Sequence, residues 1–325
     1  MKNLPSTGRL AELAPVRDED LAGAAHTPEA RALLAEIVST PVAPARVRRS
    51  RRWLAVPALG AAAAAVAFAL LGSNGGDGTQ SAAGATLRRA ASVARAQPPL
   101  IPGPGQYLYT KSVNAYLNTT VPVGGAGTDY SVLVPHVRQI WLGLGGGRLY
   151  ETSGMPRFLT AQDRERWIAD GRPQLTEPPS ENTLPPARPL DLPSDPDALY
   201  ARLEHDAAGH GSGLHTEMFT LVGDSLRETG ATPAQRAALY QVAGRIPGVE
   251  LVGSLEDSAG RRGVAVAMED HGIRFTLIFD PDTSALLSEE QVALAGNPYG
   301  YPADTRVGYA TYLVQKIVGS DTATS

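Results

Sequence analysis

The sequence of 325 residues contains no cysteine, and this absence excludes several kinds of site at once. Disulfide bonds, thiolate metal sites and cysteine nucleophiles all require the thiol group. The lipidated cysteine that anchors lipoproteins is excluded as well, so any membrane anchor has to be a helix. The chain also lacks a strong charge of either sign. Its formal net charge is −4, so no overall basic field favours nucleic acid.

Residues 53–72 (WLAVPALGAAAAAVAFALLG) lack charged and strongly polar side chains. About 20 such residues in a helix, at a rise of about 1.5 Å each, cross a hydrocarbon core about 30 Å thick. We therefore predict a transmembrane helix here. An alanine-rich helix buried in a soluble domain is the alternative, but the segment has no polar face for water. The apolar residues assigned to the membrane include Trp53, Leu54, Leu59, Val66, Phe68, Leu70 and Leu71.

Positive charge flanks this segment on one side only. From Ser73 to Leu87 the sequence has no lysine or arginine. The positive-inside rule therefore predicts residues 1–52 in the cytoplasm and residues 73–325 outside, in a single-pass protein of the cell membrane. A cleaved signal peptide is the competing interpretation, but its apolar core is usually about 7–15 residues after a short basic region. The arginines that set this topology are Arg46, Arg48, Arg49, Arg51 and Arg52.

The rest of the chain divides into three parts around the predicted helix. Residues 1–52 hold few large apolar side chains and are predicted to be partly disordered. They act either as a tether or as a segment that docks on a partner. Residues 73–105 are predicted to be a Gly/Ser-type spacer followed by a short helix near 85–97. Residues 106–325 are predicted to form the folded domain outside the membrane.

Within residues 106–325 the pattern changes from strands to helices and back to strands. Eight prolines between Arg172 and Pro196 predict a surface excursion rather than a central strand. The order of elements predicts an α+β fold, with a curved antiparallel sheet that is half-barrel-like and has helices on one face. Strands are predicted at 106–117, 130–141, 249–255, 263–268, 273–279, 285–294 and 308–318, a hairpin at Gly145–Gly147, and helices from about 195, 215 and 232.

One tetrapeptide has the letters of a catalytic motif. Gly223-Asp224-Ser225-Leu226 spells the nucleophile block of one esterase family. In that family an Asp-x-x-His sequence supplies the base, and this chain contains no such sequence. The tetrapeptide also lies within an amphipathic helical pattern, where Asp224 and Ser225 are expected to face solvent. No catalytic residue is therefore predicted.

Three other groups of residues are candidates for a metal site, a dinucleotide-binding loop and a binding patch. His205, His210 and His215 are five residues apart, whereas helical metal ligands need a spacing of three or four, so a surface loop is expected. The glycines at 143–147 lack the spacing of a dinucleotide loop and favour a hairpin tip. Arg138 and Trp141 are either a binding patch or an ordinary strand face. No metal and no cofactor is predicted.

Five stretches of sequence carry a family resemblance. They are GQYLY at 105–109, RQIWLG at 138–143, GVELVG at 248–253, GRRGVAVA at 260–267 and FDPDTSALLSEE at 279–290. Together with the arginine-flanked anchor, they resemble a family of actinobacterial membrane-anchored proteins of unknown function. More loosely, the order of elements is similar to half-barrel envelope proteins of the lipoprotein-carrier type and to periplasmic regulators of anti-sigma factors. The resemblance implies a concave apolar sheet face covered by helices, and it transfers no catalytic residue.

These observations favour a non-enzymatic envelope protein whose outer domain binds a hydrophobic ligand or a protein partner. Many small residues on the helices predict a gap over the sheet, lined by leucine, valine, methionine and tyrosine. A ligand-sized gap needs about 300 Å³ or more. The alternative is a transmembrane regulator in which residues 1–52 bind a cytoplasmic, transcription-related protein. A hydrolase is the third hypothesis, and nucleic acid is not predicted as a partner.

The predicted topology can be tested with protease. Protease added to intact protoplasts should digest residues 100–325 and spare residues 1–52, because the arginines hold the N-terminal segment inside. Immunoblotting with one antibody against each segment measures the result. Protection of the C-terminal segment would reverse the assignment.

Overall fold

The computed structural model describes residues 76–120, 129–227 and 230–324. The predicted transmembrane segment, the arginines before it and residues 1–52 lie outside these ranges, so their assignments stay predictions. Within the described ranges, no helix combines the length and the apolar character that crossing a membrane requires.

The described chain forms five helices and eleven strands. The helices are α1 (Gly76–Ala96), α2 (Ala161–Ala169), α3 (Pro196–Ala207), α4 (Leu214–Leu226) and α5 (Pro233–Ala243). The strands are β1 (Tyr107–Thr120), β2 (Tyr130–Leu133), β3 (His136–Gly143), β4 (Gly146–Ser153), β5 (Arg157–Phe158), β6 (Ser180–Leu184), β7 (Glu250–Glu256), β8 (Arg262–Asp270), β9 (Ile273–Phe279), β10 (Leu286–Ala293) and β11 (Thr305–Val318).

The strands form one large antiparallel sheet in the order β6-β4-β3-β1-β11-β10-β9-β8-β7, and β2 and β5 pair beside this path. Among the described strands, β6 and β7 end the order without pairing to each other, so the sheet is open. The predicted α+β class is therefore confirmed. The hairpin at Gly145–Gly147 is confirmed too, because β3 and β4 pair from Gly143↔Gly146 onward.

Strand β1 lies at the centre of the sheet. On one side it pairs with β11, from Tyr107↔Val318 to Tyr116↔Gly308. On its other side it pairs first with β3 and then with β2. The single strand predicted over 130–141 is in fact these two strands. They separate at Pro135, which has no N–H to continue the ladder.

One hydrophobic core holds α1, α3, α4 and α5 against the sheet. The strand residues in this core alternate along the chain, as Val264, Val266 and Met268 do in β8, so they share one face of the sheet. Helix α2 instead packs against β2 and β5. Complete burial stabilises a large apolar side chain by about 1.5–3 kcal/mol. The largest fully buried side chains of the core include Leu87, Met218, Phe219, Leu239, Tyr240, Ile246 and Phe279.

Helix α1 corrects the sequence prediction. A spacer and a short helix over 85–97 were expected, but the helix begins at Gly76 and has 21 residues. Glycine and serine lower helix propensity, which hid the first turns from the sequence pattern. Packing compensates for them, because Ala83, Leu87 and Ala94 are at most 1% exposed in the core. The folded unit therefore includes residues before 106.

Two glycines let α1 approach the end of α5 closely. A Cβ atom placed on Gly244 would lie 3.2 Å from the Cα atom of Gly84 and 3.4 Å from the Cβ atom of Leu87. At these distances a side chain at the crossing requires α1 to shift by a few tenths of an ångström. Gly244 has an ordinary φ of −72°, so space rather than backbone conformation requires glycine there.

The start of α5 follows the sequence signal closely. Thr232 and Gln235 form a complete capping box, and Pro233 occupies the first turn. The Gln235 side-chain amide also donates to the carbonyl oxygens of Leu190 and Leu192, at 2.7 and 2.9 Å. These two bonds fix the proline-rich segment to the helix layer.

The start of α4 is capped from a different part of the chain. Its N-cap residue, Gly213, has no side chain to accept a bond. The carboxylate of Asp270, at the end of β8, instead accepts hydrogen bonds from the hydroxyls of Ser212 (2.7 Å) and Thr216 (2.9 Å). These bonds, that of Ser212 first, hold the pKa of Asp270 below its usual value. A negative charge at this helix end is favourable.

The proline-rich stretch contains one strand that the sequence analysis missed. β6 lies at the edge of the sheet and pairs only with β4 among the described strands. Proline is tolerated beside an edge strand, which needs hydrogen bonds on one side only. The expectation that no central strand passes here is therefore correct. Helix α2, capped by Thr160, was also missed.

The close helix crossing predicts the effect of a substitution. Gly244→Val should lower the free energy of unfolding by about 1–3 kcal/mol, because its side chain overpacks the contact with α1. Gly319→Val is the matched control, since nothing lies within 4 Å of a Cβ atom at Gly319. Chemical denaturation of both variants measures the difference. Equal stability would show that α1 is not docked at this point.

Candidate functional site

The main apolar cavity lies where two neighbouring strands stop pairing. The ladder between β10 and β11 begins at Ala293↔Thr305 and ends at Ser288↔Thr311. Strand β11 nevertheless continues to Val318, paired with β1 alone among the described strands. A cavity of about 270 Å³ occupies the space between the start of β10, the last part of β11 and the helix layer.

Irregular pairing explains why the strands part at this level. Residue Leu313 is an extra residue in β11, because Lys111 pairs with Val314 and Ser112 pairs with Tyr312. A bulge of this kind bends its strand and increases the local twist. Strand β10 has its own irregularity between Leu286 and Ser288. Both irregularities adjoin the point where the ladder ends.

The cavity wall is mostly apolar and carries three arginines. The guanidinium groups belong to Arg227, Arg236 and Arg261. No carboxylate is among the described residues that line the cavity. Positive charge beside an apolar wall is typical of a site for an apolar group that carries an acid. The apolar lining comprises Pro98, Leu100, Leu226, Ala231, Pro233, Ala285, Leu286, Leu287, Leu313 and Val314, with Tyr312 beside them.

Two of the three arginines have carboxylate partners of their own. Arg261 pairs with Asp257, whose side chain is 0% exposed, at 2.6 Å. Arg227 pairs with Asp224 at 2.6 Å. Arg236 makes no ion pair with any described residue, and its Nη2 atom donates to the carbonyl oxygen of Ser284 at 2.9 Å. Arg236 is therefore the arginine with charge left to offer a ligand.

The turn between β9 and β10 is hydrogen-bonded to Arg236. Ser284 has a left-handed φ of 57°, which non-glycine residues rarely adopt. Its carbonyl oxygen accepts hydrogen bonds from Arg236 and from the hydroxyl of Tyr240, at 2.6 Å for the latter. The turn and α5 are thus fixed to each other beside the cavity.

A polar network borders the cavity on the helix face of the sheet. The Tyr312 hydroxyl donates to Glu289 Oε1 at 2.6 Å, and Arg227 lies 4.0 Å from the other oxygen of Glu289. Burial raises the pKa of the Tyr312 hydroxyl, and the charge of Glu289 raises it further. Burial opposes the charge on Arg227, but the carboxylates of Glu289 and Asp224 outweigh it and raise the pKa.

The esterase-like tetrapeptide serves this interface. A Cβ atom on Gly223 would lie 3.1 Å from Leu277 and 3.2 Å from Glu289, so glycine lets α4 approach the sheet. Asp224 does not simply face solvent, as the sequence suggested, because it pairs with Arg227 and burial raises its pKa. The Ser225 hydroxyl donates to the carbonyl oxygen of Leu221 within the helix. That Ser225 has no catalytic role stays a prediction.

The histidines are not brought together as a metal site. His205 lies in α3, His210 follows that helix and His215 lies in the first turn of α4. Within the described ranges, no cluster of three or more histidine, aspartate and glutamate side chains is arranged to hold a metal ion.

Arg138 and Trp141 do not form a shared patch. They pair across the β3–β4 ladder with Glu151 and Arg148 respectively, and their odd spacing places them on opposite faces. Trp141 is 3% exposed and its ring nitrogen donates to the carbonyl oxygen of Ala323 at 2.7 Å. Trp141 therefore packs the outer face of the sheet.

The cavity differs from the gap that was predicted between the helix layer and the sheet. At about 270 Å³ the cavity is slightly smaller than the 300 Å³ expected of a ligand site, and it has arginines in its wall. A second apolar pocket of about 90 Å³ lies next to it, between Ile101, Leu144 and Gly230. Larger spaces of about 490 and 430 Å³ have more polar walls, with charged residues such as Glu250 and Arg306.

The sequence analysis missed the three arginines. One signal pointed to Arg236, which precedes Leu239 and Tyr240 by three and four residues and so lies on the apolar face of α5. A charge on the apolar face of a helix is unusual. Arg227 and Arg261 lie in a helix end and a turn, where arginine is ordinary.

Known proteins show little similarity to this chain in sequence or structure. No known protein family matches the sequence, and no curated protein is significantly similar to it. Among solved structures there is a likeness to the crystal structure of MucB in complex with MucA(peri), at 16% identity and a TM-score of 0.25. The match covers 73% of this chain and 56% of that chain, so it spans little more than half of the latter. At this TM-score the likeness carries no argument about fold or function.

The polar network predicts a stability change on removal of one hydroxyl. Tyr312→Phe should lower the free energy of unfolding by about 1.5–3 kcal/mol, the range for a hydrogen bond to a charged group. Tyr309→Phe is the matched control on the same strand, because the Tyr309 hydroxyl makes no hydrogen bond within the described residues. Urea denaturation monitored by circular dichroism compares them. A loss in Tyr309→Phe as large as that in Tyr312→Phe would contradict the assignment.

Proposed function

We propose that this chain is a non-enzymatic, membrane-anchored envelope protein whose folded outer domain binds a protein partner. The observation that supports the proposal is the cavity beside β11, with its apolar wall and the guanidinium group of Arg236. The single-pass topology and the half-barrel curvature of the sheet belong to the same proposal.

The dimensions of the cavity favour a protein partner over a free hydrophobic ligand. Ligand sites usually enclose about 300–1,000 Å³ and bury most of the ligand. This cavity is smaller and opens to solvent, and its wall carries three arginines. Such a space accommodates one or two apolar side chains and a carboxylate. Binding energy in protein interfaces is concentrated in a few anchoring residues of this kind.

The helix layer leaves little alternative room for a lipid. Its small residues Ala237, Ala238 and Ala243 are fully buried, and larger side chains from the sheet and from α4 fill the space around them. The packed layer thus weakens the ligand-carrier hypothesis.

The transmembrane regulator is the second candidate function. In this case the outer domain binds one partner outside the membrane, and residues 1–52 bind a second partner in the cytoplasm. The sequence Thr27-Pro28-Glu29 predicts a helix start, and the spacing of Leu33, Leu34 and Ile37 predicts one apolar face on that helix. A pull-down with residues 1–52 as bait tests it. A matched bait in which those three apolar residues are serine should lose the captured protein.

Photo-crosslinking in cells tests the proposed function. A photoreactive amino acid at Thr283, an exposed residue of the cavity wall, should give one defined adduct of protein size in the full-length chain. Arg236→Glu should abolish the adduct, because it reverses the charge beside the cavity. Mass spectrometry of the adduct separates a protein partner from a lipid.

Two controls accompany this experiment. Arg202→Glu changes an exposed arginine of α3 that does not line the cavity, and it should leave the adduct intact. The photoreactive residue at Met155, which is 86% exposed, should give no such adduct. An adduct of lipid mass, or an adduct that still forms in the Arg236→Glu variant, would contradict the proposal.

A further inference from the structure

The free edge of β11 points to the way in which a partner binds. We propose that Leu313–Val318 accepts an extended acidic segment of a partner protein as an added antiparallel or parallel strand. This inference rests on the proposed function, since it presumes a protein partner. It adds the binding mode and the chemistry of the bound segment.

The first argument is the unpaired edge itself. Strand β11 pairs with β1 as far as Val318, but β10 leaves its other side after Thr311. From Leu313 to Val318, the described residues supply no backbone partner on that side. Six residues of a strand span about 20 Å, at about 3.4 Å each. Alternate N–H and C=O groups along this length are available to a new strand.

The second argument is exposure. Leu313, Val314, Gln315, Lys316 and Ile317 are half-buried rather than buried, so solvent reaches this part of the strand. Proteins normally cover or protect an unpaired strand edge of this length. Here the sheet continues on the far side through β1, β3 and β4, which makes the edge rigid. A rigid edge costs little conformational entropy when a strand is added.

The third argument is the cavity that runs beside the edge. Leu313 and Val314 belong to both, and Leu286 and Leu287 form the opposite wall. A strand laid along the edge directs alternate side chains toward this cavity. At about 270 Å³ the cavity accepts one or two of them. Strand addition gains affinity from the backbone and specificity from such pockets.

The fourth argument is charge. Arg236 lies on the helix side of the edge and has no carboxylate partner among the described residues. Gln315 faces the helices, where it donates to the carbonyl oxygen of Arg227, so Lys316 projects from the opposite face of β11. An incoming strand therefore meets a cation on each face. This arrangement favours a segment with acidic side chains and disfavours a basic one.

A peptide experiment tests this binding mode with the full-length chain in detergent micelles. A phage-displayed library of random nine-residue peptides is selected on the immobilised chain, and the strongest binder is synthesised. We expect acidic and apolar residues in alternation. Two N-methylated versions of this peptide are the critical controls, one methylated on the odd-numbered amides and the other on the even-numbered amides. Both keep every side chain, but only one of them blocks the amides that face β11. That version should bind at least tenfold more weakly than the unmodified peptide.

Charge reversal provides the second arm. Arg236→Glu should weaken binding of the acidic peptide at least tenfold, and replacement of the peptide's acidic residue by lysine should restore it. Arg202→Glu is the control and should have no effect. Because the chain has no cysteine, Gln315→Cys allows a disulfide to form with a peptide that carries one cysteine. Hydrogen exchange should show new protection over residues 313–318.

The outcomes separate this inference from the proposed function. Peptides that bind equally well in all N-methylated forms, or that protect other residues, overturn strand addition but leave partner binding intact. Strand addition is also overturned if the selected peptides are basic, or if no selected peptide requires the edge of β11 for binding. Dimers that dissociate on Gln315→Pro would show that a second copy of this chain occupies the edge instead. Absence of a protein adduct at Thr283 in cells would refute partner binding itself.

Discussion

The pairing of β1 with β11 is the constraint on which the domain depends. It joins the first strand of the described domain to the last, and every other strand of the main sheet is attached through one of these two. On one side of the pair lie β3, β4 and β6, and on the other lies the meander from β10 to β7. Helices α1, α3, α4 and α5 cover the meander side, where the hydrophobic core is formed.

The pair β1–β11 also creates the candidate site. It is longer than the pair β10–β11, so one edge of β11 is left over. The bulge at Leu313 and the irregularity at Leu286 adjoin the end of the shorter ladder. The polar network of Tyr312, Glu289 and Arg227 fixes α4 at the same place. Desolvation offsets much of the attraction within such a network, but removal of one member leaves its buried partner unpaired and is costly.

The sequence predicted the elements well and their arrangement less well. Period-two and helical patterns gave the strands of the meander and the helices α3 to α5, because apolar residues recur on the faces that pack in the core. The start of α5 was visible in Thr232 and Gln235. Helix α1 was underestimated because its glycines and serines resemble a spacer, and its burial in the core depends on residues far away in sequence. Pro135, which lacks an N–H group, indicates the break between β2 and β3, although a single strand was predicted there.

The candidate site could not be predicted, for a physical reason. It results from a difference in length between two ladders, and ladder length depends on which strands pair. No local pattern contains that information. Arg236 was the exception, as a charge on an apolar helix face. The arginines of the cavity come from a helix, a helix end and a turn that are far apart in sequence.

The central position of the last strand has a consequence for biogenesis. The chain emerges from its N-terminus, at about 5–20 residues per second, and about 200 residues separate β1 from β11. For on the order of 10–40 s, β1 is present without its main partner. During this interval its apolar residues and its backbone are open to wrong pairings. Contacts so distant in sequence also slow folding. Holdase chaperones at the site of emergence are therefore expected to matter more for this domain than for one built from local hairpins.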